Sequence, residues 1–234
     1  MKILSFDSTA KIASVAVAED EKILGTYNID NGLTQSELLL PMTENLMKSL
    51  KISFDEIDLI AVTVGPGSFT GVRIGVAVAK GIAFGRNIPC VAVSTLEALA
   101  ENLRGLRGIF APCMDARRGQ VYNALFSSDG ENVTRLTEDR AISIDELAYE
   151  LKSYENLDIY LSGDGHGVAK AGLQSKNVKV MNTPPLLILE NAASIVTIAI
   201  KKYKNGEYTT DLDILPTYLR LPQAERERLE RNTK

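Results

Sequence analysis

One order of elements is readable twice along this chain, and that repetition limits the fold more than any single motif. The first pass runs strand 3–7, the small turn Ser8-Thr9-Ala10-Lys11, strand 12–18, the acidic turn Glu19-Asp20-Glu21 and strand 22–27. A helix over 35–50 follows, then a strand over 58–64 that ends in Gly65-Pro66-Gly67-Ser68 and opens a helix over 69–84. The second pass runs strand 108–114 ending in Asp115, the turn Ala116-Arg117-Arg118-Gly119, strand 120–126, an Asp129-Gly130 hairpin signal and strand 133–136. A short helix over 145–151, a strand over 158–162 and the turn Gly163-Asp164-Gly165-His166-Gly167 close it. Residue identity between the passes is weak; the parallel lies in the order. Strands followed by helices and more strands predict mixed sheets with helices on their faces. Two such units predict two similar lobes: 1–104, with 208–234 packing back on it, and a smaller 105–207.

Helix starts support these boundaries. Thr34 with Glu37, Ser53 with Glu56, Ser94 with Glu97 and Ser143 with Glu146 all fit the capping box, in which hydroxyl and carboxylate satisfy each other's orphan N–H groups. The charged run 223–234 reads as a solvated helix or a frayed tail.

Composition enters by exclusion. A net charge of −4 over 234 residues argues against a chain that grips nucleic acid by itself, which needs a basic face to displace phosphate counterions. The most apolar stretch, 186–200, is interrupted by Glu190, Asn191 and Ser194, so it reads as a buried helix and not a membrane span. The first residues are charged too early for a signal-peptide core, and a cytoplasmic protein is expected. Cys90 and Cys113 sit in apolar strands, 88–93 and 109–114, as reduced core thiols.

Four features could carry chemistry. Asp7 and Ser8 end the first strand; such a pair either forms a turn or helps hold magnesium or phosphate. Asp115 occupies the corresponding place in the second pass, but Arg117 and Arg118 stand where a phosphate loop wants glycines, so any anion there would meet arginine side chains. The turn Gly65-Pro66-Gly67-Ser68-Phe69-Thr70-Gly71 lacks the Gly-Lys-Ser/Thr ending of a P-loop; it is either an anion site at a helix start or a tight turn capped by Ser68. His166 is the only histidine and no cysteine pair has zinc-like spacing, so neither a histidine-rich metal site nor a cofactor is expected, and no active site is complete.

The two first-lobe helices carry more apolar surface than one sheet face should need. Gly71, Gly75 and Ala79 form a small stripe flanked by Val72, Val76 and Ala83, with Arg73 and Lys80 beside it. Leu39, Leu46 and Leu50 line the earlier helix, with Leu38, Met42 and Met47 around them. From the residues alone, internal core is the favoured reading over a docking surface.

Ile3-Leu4-Ser5-Phe6-Asp7-Ser8-Thr9, Gly65 to Gly75, Asp115-Ala116-Arg117-Arg118-Gly119-Gln120-Val121-Tyr122 and Pro216-Thr217-Tyr218-Leu219-Arg220 together resemble the TsaB or YeaZ family of bacterial tRNA threonylcarbamoyladenosine biosynthesis proteins, over nearly the whole chain. The resemblance implies the fold of the actin, sugar-kinase and heat-shock-chaperone superfamily, an α/β architecture of two ribonuclease H-like lobes. It implies a non-catalytic subunit that is a scaffold for a catalytic TsaD-like paralogue and a TsaE-like ATPase. It further implies a homodimer when the chain is alone, and contact with tRNA only through the complex. The paralogue holds its metal with two histidines four residues apart; Thr95 and Leu99 stand in those places here, and neither is a replacement ligand. On the family's pattern the odds on the helices reverse, and Leu39, Met42, Leu46, Val72, Arg73, Val76, Ala79 and Lys80 become the expected partner contacts. Asp7, Ser8, Asp115, Arg117 and Arg118 remain candidate weak anion or nucleotide contacts. The alternative is a stand-alone actin-fold phosphotransferase or ATPase.

Overall fold

The computed structural model describes residues 1–220. The charged run 223–234 and the end of the 208–234 segment lie outside the described residues.

The first sheet has the order β3-β2-β1-β4-β5, built from β1 (Lys2–Asp7), β2 (Ala13–Glu19), β3 (Lys22–Ile29), β4 (Leu59–Thr63) and β5 (Cys90–Val93). β1, β2 and β3 form an antiparallel meander, while β4 and β5 join in parallel through crossover helices. Alternation along the strands sends Leu4, Phe6, Ile60 and Val62 to one face. That face is covered by α1 (Gln35–Leu50) and α2 (Phe69–Ala83). Ile3, Leu59, Ala61, Val91 and Val93 point to the other face, which α6 (Ala192–Lys204) covers with Ile195, Val196 and Ala199. α6 lies inside 105–207, the span the sequence assigns to the second lobe, and yet packs on the first sheet. A surface buried on both sides is the physical reason that β1 and β4 are apolar almost throughout.

The second lobe repeats the topology with a fracture. β10 (Val133–Arg135), β9 (Phe126–Asp129), β6 (Arg107–Phe110) and β12 (Ile159–Tyr160) lie in the order β10-β9-β6-β12, which matches β3-β2-β1-β4 of the first sheet. The single strands expected over 108–114 and 120–126 are each broken. Their other halves, β7 (Cys113–Asp115) and β8 (Gln120–Asn123), pair in a separate sheet with β11 (Arg140–Ser143). Pro112 has no N–H to continue the ladder, and Asn123 Nδ2 donates to its carbonyl at 2.9 Å, which fills the break. α4 (Ile144–Leu151) and α5 (His166–Ser175) cover this lobe, and α3 (Thr95–Glu101) carries the chain towards it.

Three of the four capping boxes close on both sides, at Thr34, Ser53 and Ser143. At Ser94 only half forms. Its Oγ accepts from the Glu97 N–H, but the Glu97 carboxylate turns to Lys202 on α6 instead of returning. Cys90 and Cys113 are free thiols with no exposed surface, and burial pushes them up to about 11 and about 12 respectively. Among the described residues no helix is long and apolar enough to cross a membrane.

Candidate functional site

A cleft of about 750 Å³ opens between the lobes, lined on one side by Thr9, Lys11, Ser68, Phe69 and Arg73. Asp115, Ala116, Arg117, Tyr122 and Asp164 line the other side. Its first-lobe floor is two turns pressed against each other. The Ser68 N–H donates to the Thr9 carbonyl at 2.7 Å, and the Gly71 N–H reaches Ser68 Oγ. A β-carbon on Gly71 would stand 2.0 Å from the Ser8 carbonyl oxygen, and one on Gly75 2.5 Å from Ser8 Oγ. The glycines of this motif therefore serve close backbone packing. Of the N–H groups at this helix start, those of Ser68 and Gly71 are already engaged.

The candidate anion contacts separate accordingly. Asp7 is 1% exposed, and its Oδ1 accepts from both the N–H and the hydroxyl of Thr9, at 2.9 and 2.6 Å. Ser8 is fully buried and donates to the Gly71 carbonyl at 2.8 Å. Both form the turn and are buried, and neither lines the cleft. Asp115 and Arg117 do line it, but the Arg117 N–H donates to Asp115 Oδ1 at 2.7 Å. Arg117, Arg118 and Gly119 follow one another at φ of 64°, 56° and 71°. Left-handed backbone at two arginines costs about 1 kcal/mol each and makes the loop depend on its surroundings.

Beneath the cleft lies a buried polar row that the sequence did not announce. Asp7 pairs with Ser14 across β1 and β2, and Thr63 ends β4 beside them. Alternation puts these side chains, and Thr95 two residues past β5, on the α6 face of the sheet. Ser14 Oγ accepts from the Ala192 N–H at 2.7 Å, which draws the segment carrying Glu190 over the row. Asp7 Oδ2, Thr95 Oγ1 and both carboxylate oxygens of Glu190 have no hydrogen-bond partner of good geometry among the described residues. Burial raises the Glu190 carboxyl well above its usual range, and the neighbouring Asp7 and Asp164 carboxylates raise it further. Burial likewise raises Asp7, against the Thr9 hydrogen bonds that lower it. Burial and the neighbouring negative charge thus both favour the neutral form of the Glu190 carboxyl.

The expected partner contacts sit differently from the reading above. Leu39, Met42, Leu46, Val72, Val76 and Ala79 are between 0% and 4% exposed and belong to the core under the first sheet. The small stripe brings α2 down onto Ser8 and β4, and not onto a second helix. Arg73 and Lys80 do reach solvent, and both hold the C-terminal segment: Arg73 Nε donates to Tyr218 Oη at 2.7 Å and Lys80 Nζ to the Leu212 carbonyl at 2.8 Å. The outward faces of the two helices are Leu40, Pro41 and Glu44 on α1 and Arg73, Ala77 and Gly81 on α2. Thr95 is buried, and Leu99 packs in an apolar cluster with Phe110 and Met114. Among the described residues no three His, Cys, Asp or Glu side chains gather as a metal site.

Two lobes of one topology around a cleft, with buried acids beneath it, define a two-lobed α/β protein. A sequence model of the family described as TsaD, tRNA N6-adenosine threonylcarbamoyltransferase, matches residues 34–228. The tRNA threonylcarbamoyladenosine biosynthesis protein TsaB of Escherichia coli is 30% identical over 226 residues, 94% of this chain and 95% of that protein. Its Bacillus subtilis counterpart is 32% identical over 164 residues, 70% of this chain and 72% of that one. The crystal structure of YeaZ from Pseudomonas aeruginosa superposes with a TM-score of 0.76 at 25% identity, covering 93% of this chain and 99% of that one. Component A of the (R)-2-hydroxyglutaryl-CoA dehydratase of Acidaminococcus fermentans shares the fold at a TM-score of 0.50 and 10% identity. The chain belongs to the TsaB family of tRNA threonylcarbamoyladenosine biosynthesis proteins.

Proposed function

We propose that this chain is the non-catalytic subunit of a tRNA threonylcarbamoyltransferase assembly, a scaffold for a TsaD-like catalytic paralogue and a TsaE-like ATPase in the cytoplasm. The observation that carries the reading is the pair Thr95 and Leu99, an uncharged hydroxyl and an alkyl group where the paralogue has two metal-binding histidines. Neither can hold a metal for group transfer. The net charge of −4 supports contact with tRNA through the complex alone.

The pairing surface, both for the homodimer and for the paralogue, is assigned to the outer faces of α1 and α2, at Leu40, Pro41, Glu44, Ala77 and Gly81, with Arg73 at one end. These side chains are exposed, and small residues on α2 let a second helix approach closely. Native mass spectrometry of this chain mixed with the TsaD-like protein of the same organism tests the reading. A heterodimer at micromolar concentrations is expected, and two folded proteins that stay apart would sink it. Against the phosphotransferase alternative, Asp7 Oδ1 already accepts from Thr9 and Ser8 Oγ already donates to the Gly71 carbonyl. Calorimetry with ATP and magnesium on the isolated chain would revive it only if binding were tight.

A further inference from the structure

The segment 216–220 crosses from one lobe to the other. The Thr217 N–H donates to the Val64 carbonyl at 2.7 Å, and the Thr217 carbonyl oxygen passes so close to Gly65 that a β-carbon there would lie 2.5 Å from it. Tyr218 stacks on Phe69 with ring centroids 4.4 Å apart and planes 13° from parallel, and its hydroxyl accepts from Arg73. Two residues on, Arg220 reaches the second lobe. Its guanidinium donates to the Ala116 carbonyl at 2.9 Å and to Gln120 Oε1, and lies over the Tyr122 ring at 5.6 Å. Ala116 and Gln120 are the two ends of the loop that holds Arg117, Arg118 and Gly119 in left-handed backbone, closed by the Ala116 N–H to the Gln120 carbonyl.

We propose that 216–220 is a latch that sets the opening of the interlobe cleft. Phe69, Arg73, Ala116 and Tyr122 all line that cleft, and the latch grips each of them. The crossing at α3 combines packing of Leu96 and Leu99 against Phe110 and Met114 with hydrogen bonds from Ser162 Oγ to the Leu99 carbonyl at 3.0 Å and from Ser94 Oγ to Asp139 Oδ2 at 2.5 Å. Those bonds hold α3 against the second lobe but involve none of Phe69, Arg73, Ala116 and Tyr122 at the cleft. A forked guanidinium that binds two acceptors and an aromatic face supplies a directional tie at the cleft itself. The strained 117–119 loop has no glycine at its first two positions, so it needs an outside clamp, and Arg220 is that clamp.

The test is a distance measurement on the full chain. Spin labels go on Glu21→Cys, in the turn between β2 and β3, and Val168→Cys, on α5; both sites are exposed and both native thiols are buried. Arg220→Ala is expected to broaden the distance distribution and to speed hydrogen exchange of the 116–122 amides by about tenfold or more. Arg220→Lys, which keeps the charge but loses the fork, should fall between. If Arg220→Ala does not fold, Gln120→Ala removes one acceptor from the surface and gives the same shift at smaller size. Distance distributions identical to the parent in the folded variants would overturn the proposal.

Discussion

Glu190 is 3% exposed with no well-made hydrogen bond, and its folded carboxyl titrates far above its usual range near 4.5. The folded state therefore keeps a proton that the unfolded chain releases. Stability falls as pH rises from the ordinary carboxylate range towards the raised value, by about 1.4 kcal/mol per pH unit in that window. Below the unfolded value both states are protonated and the effect vanishes. Glu190→Gln is thus expected to change urea unfolding little at about pH 4 and to raise the midpoint clearly at about pH 7. A gain of the same size at both would mean that the carboxyl is not held neutral. Two glycines give a matched pair. Gly71→Ala drives a β-carbon into the Ser8 carbonyl and should cost about 3 kcal/mol, whereas a β-carbon on Gly81 meets nothing within 4 Å. Gly81→Ala should raise the melting temperature slightly, by up to about 1 kcal/mol of stability.

The helices show where sequence reasoning holds and where it stops. The spacing and the Thr34 cap place α1 at Gln35–Leu50 without error, because the capping box is a local device. The side on which Val76 ends up is not local. An apolar residue every three or four positions looks the same whether it meets a sheet or a partner, and only the burial of β1 and β4 on both faces decides. Val76→Arg would therefore put an unpaired charge into the core of the first lobe, and loss of the folded monomer by circular dichroism is expected. Ala77→Arg, one residue on and exposed, should leave the melting temperature unchanged and weaken pairing with the TsaD-like partner by about tenfold or more in a titration. The broken strands at Pro112 were legible in principle from the missing N–H. The position of α6 was not, since its contacts with β1 and β2 span about 180 residues of chain, as in the Ser5 hydroxyl donating to the Ala192 carbonyl with |i−j| of 187.

At the scale of the whole molecule, the repeated order in the sequence becomes a repeated topology, β3-β2-β1-β4 against β10-β9-β6-β12, although the residues barely match. What the two passes conceal is how the lobes are tied, because Arg220 and Gln120 are 100 positions apart and nothing in their spacing links them. The fold also divides its two thiols between the lobes, Cys90 in the first sheet and Cys113 in the second lobe, both without exposed surface. A thiolate is the reacting species, so neither reacts while its lobe stays shut. Under an excess of alkylating reagent, the mass gained at each cysteine then counts the openings of its own lobe. The chain carries one clock in each half, and the two need not keep the same time.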